Sequence, residues 1–383
     1  MKIKATLILL FVFIFIRLIK ILNLFFTIKI GRIYTSRVGH IAKNLENYIH
    51  ETRNEKGLIT FFGTEKKIAN RFLLRLFKRK NIFFGRFFFF AYMQIKDRKD
   101  YFDLLVSENK LNPNFSLVAK EKPNIKIPKQ VDDFGSKFLD NNKISKNFVV
   151  FHNRDASYNI GDDKNFHEYR NFDFEDYYKT IKYCNDKNIS TVRIGNDIQI
   201  KDNLKNKNHF LLDNNKISEE LSIYMLANCK FMISCNCGFL DIGRSFRKPS
   251  LMINTLPFDI QDFDTRGYGS IIIPKKIYNK NKKKMLTLKD ISDLVIDIHY
   301  KGNFFSDNNL EWIDNTQDEI LMSFKEMIKK IDNDSEFLNE EDKEIRDRLF
   351  DIFKENKFYK IMLNELNINI SYSFLKQNRS LLN

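Results

Sequence analysis

Cysteine is scarce, with four residues in 383, and none stands in a CxxC pair. Cys184 and Cys229 are isolated, and Cys235 and Cys237 form a CxC, so neither a disulfide scaffold nor the usual paired ligands of structural zinc are written into the chain. All four lie in or beside apolar segments, the pattern of reduced, buried thiols in a cytosolic protein, and no metal is expected. Proline numbers six, and three of these, Pro113, Pro123 and Pro128, fall in a polar stretch of linker composition between residues 112 and 145. No uninterrupted apolar run reaches the roughly 20 residues that a spanning helix needs. The N-terminal run from Ala5 to Ile16 is broken by Arg17 and Lys20 before Ile21, Leu22, Leu24, Phe25 and Phe26 resume. It is followed by no A-x-A cleavage signal, which argues against a removed signal peptide. No RNA- or DNA-binding motif appears, and the cations are spread along the chain, which argues against nucleic acid. No DxD pair ends a strand; Asp162–Asp163 falls in a loop.

What is present begins with size and charge. A length of 383 residues favours two domains. A net charge of +15 suits an anionic membrane surface, a phosphorylated substrate or nucleic acid, or is simply a solvated surface. Residues 1–26, with Lys2 and Lys4 leading the apolar run, read as a membrane-associating helix. It either lies in the cytoplasmic leaflet with its cations at the headgroups, spans once as a signal anchor, or packs as a soluble helix.

From Thr27 the pattern alternates strand and helix. IKIGRIYT reads as a strand, SRVG as a turn, and HIAKNLENYIH as a helix with Ile41, Leu45, Tyr48 and Ile49 on one face. Gly57 to Phe62 is a second strand, Glu65 to Lys80 a basic amphipathic helix, and Asn81 to Phe84 a third strand. The run Phe87 to Phe90 reads as core or membrane-facing. A boundary near 140 separates this first domain, 27–140, from a second, 141–335, with strands at 148–152, 189–194, 230–234, 249–254 and at IIIP after Gly269. Helices are expected at 174–187, 218–227, 238–246, 288–300 and 315–331. Short apolar strands separated by helices imply parallel sheets covered on both faces. A helical tail, 336–383, follows, with an apolar stretch near Ile361 to Leu382 that is suited to packing back across the first domain without requiring it.

The sharpest local signal is FVVFHNRDASY, an apolar strand ending in polar and cationic residues, where open α/β sheets bind ligands. His152 and Arg154 alternate around Asn153 and so share a side of the strand end. An arginine there can grip a phosphate bidentately, and the histidine can bond a phosphate or a sugar hydroxyl. Asp155 suits orienting Arg154 or capping the next turn. The loop that follows carries His167, Glu168, Tyr169 and Arg170 before a helix capped by Asp173, and reads as a ligand loop or a solvated one. Arg193 and Gly195 end the next strand. In MISCNCGFLDIG a strand runs into Cys237, Gly238 and Phe239 at a helix N-terminus, a place for a diphosphate, or a turn glycine with no ligand.

IGRIYTSRVGHIAKNLENYI, VVFHNRDASY, FHEYRNFDFEDYYKTIKYCNDKNISTVRIGN, LANCKFMISCNCGFLDIGRSFRKPSLMINTLPF and PKKIYNKNKKKMLTLKDI, in that order, resemble a family of bacterial glycosyltransferases found with surface-polysaccharide genes. The resemblance runs from about residue 28 to SYSFLKQN. It implies an α/β, GT-B-like fold, with two Rossmann-like domains whose parallel sheets face a cleft, the first binding acceptor and the second the nucleotide-sugar donor. The H-x-R strand end is similar to the one GT-B fucosyltransferases use for a nucleotide diphosphate, which implies donor-phosphate contacts for His152 and Arg154. Ser222 stands where the family often has an acidic residue.

The expected activity is transfer of a sugar from a nucleotide diphosphate to a saccharide or lipid-linked acceptor, without metal or other cofactor, at the cytoplasmic face of the inner membrane. Leaving-group charge would meet Arg154, Arg170 or Arg193 and the Gly238 helix terminus. His40 is the first choice for the base, though a histidine opening a helix is also commonly packed structure, and Glu46 is the second. A nucleotide-sugar epimerase of the same fold, or a non-catalytic basic membrane scaffold, are the other readings.

Overall fold

The computed structural model describes residues 2–111, 118–154, 168–195, 208–213, 217–256, 268–294, 304–332 and 338–383. The chain forms two compact units, 1–118 with 122–126, and 119–121 with 127–383. The division therefore falls earlier than the expected boundary near 140, and the helix 129–141 belongs to the second unit.

The first unit runs α1 (Lys2–Leu22), β1 (Ile28–Ile33), α2 (Val38–Thr52), β2 (Ile59–Thr64), α3 (Arg71–Leu76), β3 (Ile82–Gly85), α4 (Arg86–Ile95) and α5 (Glu108–Leu111). Its three strands are parallel in the order β1-β2-β3, with Ile30 beside Phe61 and Phe61 beside Phe83. On α2, Ile41, Leu45 and Tyr48 are buried as their spacing predicts. The expected helix over 65–80 shrinks to α3. Asn70 caps that helix by accepting from Leu73 N at 2.7 Å, and Glu65 is drawn instead to the end of β1. The phenylalanine run forms the start of α4, which lies so close over β2 that a Cβ on Gly63 would meet the Phe89 backbone. Phe15 of α1 packs on Phe87 and Phe61 with ring centroids 5.3 and 5.5 Å apart.

Only one stripe of α1 docks. Val12, Ile16 and Ile19 are buried with Ile28, Ile30, Ala91 and Ile95, at the spacing of a single helix face. Leu10, Phe11, Phe13, Leu18 and Ile21 are each more than half exposed. Ile8, Phe11, Ile14, Phe15, Leu18 and Phe87 line an open apolar groove of about 480 Å³. No helix among the described residues is long and apolar enough to cross a membrane.

The second unit contains α6 (Lys129–Asn141), β4 (Val149–Phe151), α7 (Tyr178–Asp186), β5 (Thr191–Gly195), β6 (His209–Asp213), α8 (Glu219–Asn228), β7 (Phe231–Ser234), α9 (Gly238–Ser245), β8 (Ser250–Thr255) and β9 (Ile271–Pro274). Then come β10 (Lys276–Asn279), β11 (Lys284–Met285), α10 (Leu288–Asp293), α11 (Phe304–Asp307), β12 (Leu310–Ile313), α12 (Gln317–Asp332), α13 (Glu340–Phe353), α14 (Lys357–Asn364), β13 (Asn369–Ile370) and α15 (Tyr372–Gln377). Seven parallel strands stand in the order β13-β9-β8-β7-β4-β5-β6. The chain builds outward from β4 through β5 to β6, then returns to β7 and builds outward the other way. With right-handed crossovers that order puts helices on both faces, and β4, β5, β7, β8 and β9 are buried along their whole length.

Sequence periodicity finds the five apolar strands and misses the rest. The lysine-rich loop after β9 folds into a small antiparallel sheet, β11-β10-β12. The tail joins the second unit's own sheet: Asn369 pairs beside Ile271. Glu326 of α12 anchors it by accepting from Ser371 Oγ, Tyr372 N and Ser373 N at 2.8, 3.2 and 2.8 Å.

Candidate functional site

The strand order of the second unit reverses between β4 and β7, and in an open parallel sheet the carboxyl ends flanking such a reversal splay apart and leave a crevice. Residue 152 follows β4 and residue 237 follows β7, so the two motifs read from sequence meet at this point.

The His152 N–H donates to Ile233 O at 3.0 Å, which carries the ladder one residue beyond β4, and Tyr177 Oη donates to His152 O at 2.9 Å. The imidazole Nδ1–H donates to Ile194 O at 2.7 Å. That bond leaves Nε2 for Cys237, with which the ring is hydrogen-bonded. Phe239 stacks on the other side, centroids 4.2 Å apart and planes 19° from parallel. Two elements, β5 and the first turn of α9, thus hold one ring.

Asn153 turns inward. It is buried, donates to Phe172 O at 3.3 Å and accepts from Arg193 Nη2 at 3.0 Å. Arg193 itself is 6% exposed and stacks over Phe174 at 3.8 Å. It therefore holds the strand end from within instead of offering a cation to a donor, as sequence had suggested. Gly195 is also buried, at the end of β5 beside Asp213; its neighbour Ile194 supplies the carbonyl that orients His152.

Arg154 is half-buried at the mouth, with Nη1 bonded to Asn171 Oδ1 at 3.0 Å and its carbonyl accepting from Phe172 N. Arg170 lies across the Tyr169 ring at 5.2 Å and donates to Tyr169 Oη at 3.0 Å. His167 and Asp155, and the Asp162–Asp163 pair, lie outside the described residues.

Cys237 is the N-cap of α9, in extended backbone, and is half-buried while the other three cysteines are fully buried. Ser234 Oγ stands 3.3 Å from its sulfur. Burial disfavours a thiolate there, but hydrogen bonds from Cys235, His152 and Ser234 outweigh it and hold the Cys237 thiol well below its ordinary range. The same bond to Cys237, with burial, drives Cys235 well above its own. Burial opposes the His152 imidazolium, yet Cys237 and the Ile194 carbonyl raise its pKa. The crevice thus has a local acidic-sulfur and basic-imidazole pair beside the first-turn amides of α9, Gly238 and Phe239.

In the first unit, the end of β1 carries a second polar cluster. Glu65 accepts from Ser36 N at 2.9 Å, Ser36 Oγ at 2.5 Å and Arg32 Nη2 at 3.0 Å. Burial pushes its carboxyl up, but these bonds prevail and keep it below its usual range. His40 lies in the first turn of α2 with its ring 5.3 Å from Tyr34. Burial, then Arg37 and Lys43, lower its pKa to about 4, so it is neutral at physiological pH. Glu46 is 0% exposed and accepts from Asn124 Nδ2 at 3.1 Å. It holds the 122–126 segment and is closed to a substrate hydroxyl, contrary to its place as second candidate for the base. Sequence reasoning missed Glu65, which it placed at the start of a helix; the signal available was a lone acid just beyond a strand end.

No family model matches the chain, and no curated relative does. Among solved structures, a glycosyl transferase family 9 protein from Veillonella parvula DSM 2008 superposes with a TM-score of 0.50 over 79% of this chain and 98% of that one, at 9% identity. The E. coli ADP-heptose lps heptosyltransferase II gives 0.49 over 80% and 100%, at 10% identity. At 9% identity the likeness to the Veillonella protein is one of architecture: the chain shares its α/β fold, with parallel sheets.

Proposed function

We propose that the protein is a glycosyltransferase that moves a sugar from a nucleoside-diphosphate donor to a saccharide or lipid-linked acceptor in surface-polysaccharide synthesis. The observation that carries this reading is the convergence, at the reversal point of the seven-stranded sheet, of Arg154, His152 and the N-terminus of α9. The diphosphate is placed against the amides of Gly238 and Phe239, where the helix dipole favours negative charge. Arg154, with Arg170 as a second cation on the segment that bonds it, neutralises charge as the bond from the anomeric carbon to the phosphate oxygen breaks. His152, with Nδ1 on Ile194 O and Nε2 on Cys237, fixes the strand end against the first turn of α9, where the diphosphate lies. The acceptor hydroxyl attacks the anomeric carbon and loses its proton to a base, the role that the sequence assigns to His40, whose imidazole stays neutral. No metal is assigned a role in this reading.

The exposed face of α1 supports association with the cytoplasmic face of the inner membrane, the helix lying in the interface with Arg17 at the headgroups. A lipid-linked acceptor would then meet the enzyme at the membrane surface.

The test is incubation with UDP-, GDP-, ADP- and dTDP-sugars in the presence of a membrane extract, with and without chelator. Release of one nucleoside diphosphate that persists in chelator is expected. Interconversion of the sugar while still attached to nucleotide would establish the epimerase instead, and no turnover of any donor would remove the catalytic reading.

A further inference from the structure

The strand end that reads as a donor site also assembles a sulfur nucleophile. Cys237 is the half-buried member of the four cysteines. Its sulfur receives Ser234 Oγ at 3.3 Å and hydrogen bonds from His152 and Cys235. His152 cannot turn away, because Nδ1 is tied to Ile194 O at 2.7 Å and Phe239 covers its face at 4.2 Å. Phosphate binding needs none of this: a diphosphate wants amides and cations. Two thiols two residues apart, one accepting from the other, have the arrangement of an attacking and a resolving sulfur.

We propose that Cys237 is a covalent modification site for hydroperoxides, with Cys235 as its resolving thiol. The Cys237 thiolate attacks one peroxide oxygen; the O–O bond breaks, hydroxide or alkoxide leaves, and a sulfenic acid forms. Cys235 then attacks the sulfenic sulfur and loses its proton, the S–OH bond breaks as water leaves, and an S–S bond closes. Each peroxide is reduced by two electrons and the two thiols are oxidised by two. The thiol chemistry goes beyond sugar transfer; only its consequence, blockage of the diphosphate site, rests on the donor reading.

The full chain treated with one equivalent of hydrogen peroxide and digested should show loss of two hydrogens in the peptide spanning 235–237. Cys184 and Cys229, fully buried, serve as internal references. In Cys235→Ser the sulfenic acid should persist and take up dimedone at Cys237, at least about tenfold faster than at either reference cysteine. His152→Gln, checked for native circular dichroism, should slow the labelling several-fold at pH 7. In a folded Cys235→Ser, labelling of Cys237 no faster than of Cys184 overturns the proposal, as does an unchanged dithiol in the wild-type chain after peroxide; the second measurement needs no variant. Accumulation of dimedone adduct in the wild-type chain without disulfide overturns the role of Cys235. Protection by a nucleoside diphosphate is read separately: fast labelling that no nucleotide slows leaves the thiol chemistry standing and removes the donor from this strand end.

Discussion

Asn153 and Arg154 are adjacent, polar and similar in sequence appearance, yet they do opposite work. The alternation of an extended strand end separates them: Asn153 faces the buried Arg193 and Phe172 O, and Arg154 stays at the mouth with Asn171. Arg154→Ala should therefore weaken nucleotide binding about ten- to a hundredfold, the worth of a charged hydrogen bond, with little change in melting temperature. Arg193→Ala should do the reverse, lowering stability by about 1–3 kcal/mol through the orphaned Asn153 amide and the lost cover on Phe174; calorimetric binding and thermal melting on both variants separate the roles. Periodicity makes the inward–outward alternation legible. It does not reveal that the cation on β5 points into the protein, because both faces of a parallel sheet are buried and every strand position looks alike.

His40 and His209 both have folded pKa values lowered to about 4, chiefly by burial. The unfolded chain, with ordinary histidines, then binds more protons than the folded chain between about pH 6.5 and 4, so stability falls as pH is lowered through that window. Melting temperatures from pH 7.5 to 4.5 should decline, and His209→Gln, if folded, should flatten the slope. For catalysis, a base at about 4 predicts turnover that holds from pH 8 down to about 5 before falling. His40→Ala should reduce kcat more than donor affinity, and an unaltered kcat excludes it as base.

At the scale of elements, the misread helix at 65–80 and the overlooked β6 and β13 share a cause. A segment's fate was decided by a partner elsewhere in the chain: Glu65 by Ser36 and Arg32, β13 by pairing with β9. Neither partner is visible in a local window. The phenylalanine run, by contrast, announces burial but not which surface it meets. It meets α1 and β2, and the close crossing of α4 over β2 depends on Gly63. Gly63→Ala should cost about 1–3 kcal/mol in denaturant unfolding, because the obstacle is the Phe89 backbone, which cannot rotate away as a side chain would.

α1 tests the membrane reading in a way that truncation cannot. Removing residues 1–26 would also remove Val12, Ile16 and Ile19 from the core, so release from membranes would be confounded by unfolding. Leu10→Glu with Phe13→Glu alters only outward positions, 53% and 52% exposed. Flotation with anionic vesicles should show the wild-type chain bound and the double variant free at unchanged melting temperature. Equal flotation of the two would remove α1 as the anchor.

For the whole molecule, two α/β units, five of the seven strands of the larger sheet and the residues at its reversal point were legible from apolar runs ending in polar residues. The division between the units was not, since α6 is amphipathic and would have served either side. The reversal point between β4 and β7 is proposed to hold a nucleoside diphosphate. It is tested most directly by titration calorimetry of the full chain with UDP, GDP, ADP and dTDP in chelator, repeated on Arg154→Ala. The account predicts one-to-one binding of one of these, weakened at least about tenfold in a folded Arg154→Ala. Absence of binding by all four to the wild-type chain, or equal affinity in the variant, would contradict it.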